Sequence, residues 1–240
     1  VRQTAERLAE VVRSLSPRHA PLVRGYRTKI IDGNHLAATE HRIEELRTIG
    51  SGPLPGLALV ILEPDRMLVS DVFPCEDGHA QERRILPQVL PTVAANDLWI
   101  ADRNFCTTGF LFGIANRGAA FVIRQHKQTL HYELLGERRK IGRCPTGMLY
   151  EQKMRLIDQK GKTKEVRRVT IELKTPTRNG ETEINLLTNL PAKVANARSV
   201  ADLYLHHGGG AWRRGEAPDD FWLLSGGGTR CCVSRDDDCR

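Results

Sequence analysis

Lys29-Ile30-Ile31-Asp32-Gly33-Asn34-His35 is the stretch on which the reading of this chain turns. Its Ile pair, bounded by Gly33-Asn34, predicts a short apolar strand that delivers one carboxylate at its tip. The pattern recurs as Leu98-Trp99-Ile100-Ala101-Asp102-Arg103-Asn104. A single Asp at a strand end is an ordinary turn former or cap. Two at matched strand ends also fit a paired-carboxylate site that holds divalent cations about 3.5–4 Å apart. Hard oxygen donors of this kind select Mg2+ or Mn2+.

The elements around these two strands supply an order. Residues 57–62 (LALVIL) form a continuous apolar run, Glu63-Pro64-Asp65-Arg66 a turn, and residues 67–73 a second strand, which together predict a hairpin. Residues 79–93, with Ile85, Leu86, Val89 and Leu90 on one face, predict a helix. A strand at 97–102, a helix at 107–117 and a buried strand at 119–124 follow. The order β-ββ-α-β-α-β is that of ribonuclease H-like domains. The expected fold class is therefore α/β: a ribonuclease H-like mixed sheet flanked by helices. In that architecture the first and fourth strands are neighbours, so Asp32 and Asp102 meet at one sheet edge.

The remainder divides by composition. Residues 1–24 carry a helical period over 3–15 and lead into the core at 25–128. Within that core, residues 36–47 read as a polar helix and 49–56, rich in Gly and Pro, as a flexible connection. Residues 129–191 are β-rich and basic, with strands expected at 131–135, 166–173 and 184–187, and read as an insertion packed against the core. Residues 192–207 begin a final helix. Residues 208–240 contain Gly208-Gly209-Gly210, Gly226-Gly227-Gly228, Cys231-Cys232 and Asp236-Asp237-Asp238 without an amphipathic period, which predicts a disordered tail.

A formal charge of +7 and a pI near 9.3 favour a polyanionic partner, with nucleic acid the leading class. No run approaches the roughly 18 apolar residues of a membrane helix. Cys75, Cys106 and Cys144 are scattered without metal-ligand spacing, which suits a reducing cytosol. His35 and His41 share no helical face and have no cysteine nearby, so they read as surface or supporting histidines rather than zinc ligands. Glu76, Asp77, His79 and Glu82 form a polar cluster that opens a helix, with a supporting role at the acids open to Glu82. The basic run with Lys160, Lys162, Lys164, Arg167 and Arg168, extended by Arg138 and Arg139, reads either as a solvated hairpin or as a phosphate-contacting surface beside the acids.

Several blocks in order carry more than spacing: IIDGNH around Asp32, DVFPCEDGHAQE at 71–82, ADRNF at 101–105 and LLTNLP at 186–191. Together they resemble the catalytic core of bacterial DDE transposases of the insertion-sequence-four type, over roughly residues 20–206. The resemblance implies metal-dependent cleavage at transposon ends and strand transfer to target DNA, with Mg2+ as cofactor and Mn2+ as substitute. It implies Asp32 and Asp102 as the first two acids and as metal ligands. It further implies DNA as partner, a homodimer in a synaptic complex, and a bacterial cytoplasmic protein, nucleoid-associated when bound to DNA.

The family's final helix carries Tyr, two residues, Arg, three residues, Glu, six residues and Lys. Tyr204 supplies the first, but His207, Ala211 and Pro218 stand at the other three positions. No third acid is identified, and the chain is expected to be a fragment with little or no activity. Codons permitted for 228–240, read one base later, can spell ERAAVFHAMTIA, and those for 212–220 can spell GEEAKLLTT. The expectation is a frameshift near residue 207. Two other readings stay open: a DNA-binding remnant without catalysis, and a metal-dependent nuclease of the same fold.

Overall fold

The computed structural model describes residues 2–15, 21–35, 57–75, 81–126, 130–177 and 179–207. The polar helix expected at 36–47, the connection at 49–56 and the tail at 208–240 lie outside the described residues. The chain opens with α1 (Arg2–Leu15), followed by β1 (Arg27–His35), β2 (Leu57–Glu63) and β3 (Leu68–Cys75). Next come α2 (Leu86–Val89), β4 (Asp97–Ala101), α3 (Thr108–Asn116) and β5 (Ala120–Arg124). Four further strands, β6 (His131–Cys144), β7 (Gly147–Ile157), β8 (Thr163–Leu173) and β9 (Glu183–Thr188), precede α4 (Ala197–His207).

The nine described strands form one mixed sheet in the order β3-β2-β1-β4-β5-β9-β8-β7-β6. β1 lies antiparallel to β2 and parallel to β4, and β5 runs parallel to β4. The first and fourth strands are thus adjacent, as the element order requires. The basic segment does not form a separate layer on the core. Its strands continue the sheet, because β9 pairs antiparallel with β5 through Val122↔Thr188 and Arg124↔Leu186. Asn189 secures that junction: its Oδ1 accepts from the Phe121 amide (2.9 Å) and its Nδ2 donates to the Ala119 carbonyl (3.0 Å).

The central strands are buried on both faces, so their sequences are continuous apolar runs. Ile31, Trp99, Phe121 and Ile123 join one core with Ile85, Leu86, Val89 and Phe110. Trp99 and Phe110 meet edge to face at 6.0 Å. Ile30, Leu98, Ile100 and Val122 join the other core with Val200, Ala201, Leu203 and Tyr204 of α4. Because side chains alternate along a strand, Asp32 and Asp102 follow the even-numbered set toward the α4 face.

Two local outcomes differ from the sequence expectation. The helix expected over 79–93 is one turn, α2, between 3-10 turns at Glu82–Arg84 and Leu90–Thr92. Pro87 and Pro91 remove two amide donors that a continuous helix needs. The apolar residues still pack, with Val89 fully buried. The strand β7 has no counterpart in the sequence reading. It buries Leu149 in one core and Met154 and Leu156 in the other, so no single alternation runs through it.

Candidate functional site

The last rung of the parallel β1–β4 ladder is Ile31 opposite Ala101. Asp32 and Asp102 are the next residue on each strand, at the carboxyl ends where open α/β sheets place their ligands. Asp32 stands exposed at this edge, and its Oδ1 accepts from the adjacent Gly33 amide at 2.9 Å. The surrounding protein mass displaces enough water to push its carboxyl above the ordinary range, and the Asp102 charge pushes it further. Asp102 is also raised by burial, against the pull of the Asn104 amide and the Arg103 guanidinium. Each carboxylate therefore carries a charge that its surroundings leave partly uncompensated.

The opposite end of the same strand shows what full compensation looks like. Asp97 is completely buried and pairs with Arg27 at 2.6 Å and Lys29 at 3.4 Å, and it accepts from the Ala94 amide at 2.9 Å. β4 thus bears a satisfied structural carboxylate at its start and an undercompensated one just past its end. Strain of the second kind is characteristic of a functional site.

The residues after Asp102 explain why the local sequence takes this form. Asp102 caps a 3-10 turn, accepting from the Asn104 amide at 2.7 Å. Phe105 is fully buried and anchors the turn. Asn104 Nδ2 donates to Glu82 Oε2 at 3.3 Å. Glu82 Oε1 in turn lies only 1.8 Å from where a Cβ on Gly33 would stand, so Gly33 is the cradle in which this carboxylate rests. Glu82 therefore links the residues that follow both acids, from the sheet face opposite α4. Arg103 pairs with Glu181 at 3.2 Å. Arg124, at the end of β5, makes a short ion pair with the same carboxylate. Arg103, Arg124 and Glu181 were not singled out by the sequence reading, since pairs so distant in sequence leave no local pattern.

α4 brings Tyr204 to this edge. Its buried phenol lies among Arg124, Asp102 and Arg103, takes a hydrogen bond from Arg124, and is pushed up to about 12, chiefly by burial. Asn196 caps the helix, accepting from the Ser199 amide at 2.9 Å. Position 211, assigned by the resemblance to the third acid, holds Ala and lies outside the described residues. Two carboxylates match the donor chemistry of a hard divalent ion. Among the described residues no three His, Cys, Asp or Glu side chains converge as on one ion.

The basic residues separate into distinct places. β8 is antiparallel to β9, and β9 to β5, so β8 runs in the direction of β4. Its start, with Lys164, therefore lies toward the Asp97 end of the sheet, away from Asp102. Lys164 Nζ bonds Asn116 Oδ1 at 3.1 Å, at the C-terminal end of α3. Lys160 and Lys162 are exposed in the preceding turn, where their amides are held by Asp158 Oδ1 at 2.8 Å each. Arg167 is internal. It pairs with Glu151 at 2.7 Å and donates to the Leu190 and Ala195 carbonyls at 2.8 Å each, which fixes the turn that launches α4. Arg168 bonds Asn185 Oδ1 at 3.1 Å, Arg138 stacks on Tyr150 and pairs with Glu183 at 2.9 Å, and Arg139 pairs with Glu151 at 2.8 Å.

A mixed sheet flanked by helices, in the order β3-β2-β1-β4-β5 with β1, β4 and β5 parallel, is the ribonuclease H-like arrangement. A family model described as the transposase DDE domain matches residues 24–209, and the chain belongs to that family. No curated protein matches the chain. No described helix is long and apolar enough to cross a membrane.

Proposed function

We propose that this chain carries the catalytic frame of an insertion-sequence-four type transposase, with Asp32 and Asp102 as the acids that hold a divalent cation, Mg2+ or Mn2+, against DNA. The observation that carries the reading is the placement of both carboxylates one residue past the final rung between β1 and β4. A bound divalent ion would supply the charge that activates an attacking oxygen and stabilises a leaving one in phosphoryl transfer. Asp32 and Asp102 would orient that ion. Asn104 and Glu82 would keep Asp102 in its rotamer, and Tyr204 would close the site from α4.

Ala211 at the third-acid position supports a further part of the proposal: the chain as written holds metal weakly and cuts DNA poorly or not at all. A frameshift near residue 207 accounts for that loss, and the downstream reading frame of the gene tests it. A closed frame, or one without transposase-like sequence, removes the frameshift from the account. The catalytic claim is tested by incubating the full chain with supercoiled plasmid and Mg2+. Little or no cleavage is the expected outcome. Efficient Mg2+-dependent cleavage that disappears in Asp32→Ala contradicts inactivity while upholding the site. DNA retention by the chain without any effect of metal or of the two acids favours the binding-remnant reading instead.

A further inference from the structure

We propose that Arg103 and Arg124 form a phosphate-binding site beside Asp102, and that Glu181 occupies this site as a built-in carboxylate competitor. The inference rests on the reading that DNA is the substrate. Glu181 ends the loop that joins β8 to β9, and its two oxygens are divided between the guanidiniums. Oε1 takes Arg103 Nη1 at 3.2 Å, and Oε2 takes Arg124 Nη2. Two guanidiniums around two oxygens of one anion is the arrangement in which a phosphodiester's non-bridging oxygens are also held.

The three side chains differ in access. Arg124 is 19% and Glu181 15% exposed, while Arg103 is 41% exposed, so the site opens to solvent on the Arg103 side. Arg124 also meets the Tyr204 hydroxyl, so Glu181 is one of two groups that position it. Glu181 is held by its backbone as well as by these ion pairs. Its amide donates to Thr177 Oγ1 (3.1 Å), its carbonyl accepts from the Thr177 amide (2.8 Å), and Gly180 adopts the left-handed φ of +75° that the turn needs. These backbone bonds hold the loop alongside the two ion pairs. Both guanidiniums also act on Asp102, so they lie at the edge where Asp32 and Asp102 accumulate negative charge. A phosphate brought to those acids meets a pair of guanidiniums already placed to receive it.

A purely structural role for Glu181, tying the loop to the core, gives a much smaller effect in a binding experiment. Neutralising a carboxylate that only ties the loop gives an anion no more than the small, salt-screened gain of one lost negative charge. Removing a competitor raises anion affinity by about tenfold if Glu181 fills the site in nine of ten molecules. The test uses the full chain and two probes: inorganic phosphate followed by calorimetry, and a random-sequence duplex followed by fluorescence anisotropy at fixed salt. Glu181→Gln is expected to bind both probes about tenfold more tightly than the parent chain, with the gain lost in Glu181→Gln/Arg124→Gln. Unchanged, weaker or only slightly tighter binding of phosphate by a folded Glu181→Gln overturns the proposal, even if the duplex still binds. Tighter phosphate binding without any duplex binding upholds the anion site and overturns the DNA reading. If Glu181→Gln does not fold, the parent chain decides. Added inorganic phosphate is expected to shift the Arg124 side-chain NMR resonance, and no shift overturns the proposal.

Discussion

Asp32 and Asp102 stand side by side one residue beyond the rung Ile31↔Ala101, and the charge of Asp102 helps raise the carboxyl of Asp32. Neighbouring parallel strands bring them together, yet no cation among the described side chains pairs with Asp32 as Arg27 and Lys29 pair with Asp97. The fold thus holds two like charges at its edge at a cost that a divalent ion would offset.

That cost has a pH signature. A carboxyl raised above its ordinary value binds its proton more tightly in the folded state, so stability falls as pH rises through the window from the ordinary value of 3.8 to the folded one. Asp32→Asn removes the charge and is expected to raise the melting temperature at pH 7 by on the order of 2 °C. The gain should fade once the pH drops below the ordinary carboxylate range. Thermal melts from pH 3 to 8 check this, and a variant less stable at pH 7 counts against it.

The basic residues make separable contributions. Arg167→Met leaves Glu151 with only the exposed Arg139 and two carbonyls without their donor, which is expected to cost about 3 kcal/mol in urea unfolding. Its salt dependence of DNA binding should match that of the parent chain. Lys160→Ala/Lys162→Ala should leave stability within about 0.5 kcal/mol. If those ammoniums meet phosphates, the double variant should lower the slope of log affinity against log salt by about 2.

Two glycines are expected to respond oppositely to the same substitution. A Cβ at Gly147 would stand 1.8 Å from the Glu172 carbonyl oxygen in the β7–β8 ladder, and backbone there cannot move cheaply. Gly147→Ala should cost about 2 kcal/mol. At Gly33 the obstacle is the movable end of Glu82. Gly33→Ala should therefore fold normally, displace Glu82 from Asn104, and weaken Mn2+ binding. Chemical denaturation and metal titration of the two variants separate the cases.

The β1 and β4 strands were legible because both are short apolar runs that end in Asp, and the order of elements between them dictates that they be neighbours. The short helical turns at 82–92 were less so, since the apolar spacing of Ile85, Leu86 and Val89 mimics a helix that Pro87 and Pro91 interrupt. β7 was hidden by its change of buried face between Leu149 and Met154. Arg167 looked like a surface cation because its run is basic. Only the packing of β8 against the turn before α4 shows it to be internal. Glu181 had no signal at all, as its partners lie 57 and 78 residues away.

Asp32 and Asp102 together are proposed as the cation site of this transposase domain. Mn2+ titration of the full chain, followed by electron paramagnetic resonance, tests it most directly. The expected result is one weak Mn2+ site, displaced by Mg2+ and lost in both Asp32→Asn and Asp102→Asn. Mn2+ binding that persists unchanged in both variants rules out Asp32 and Asp102 as the cation site.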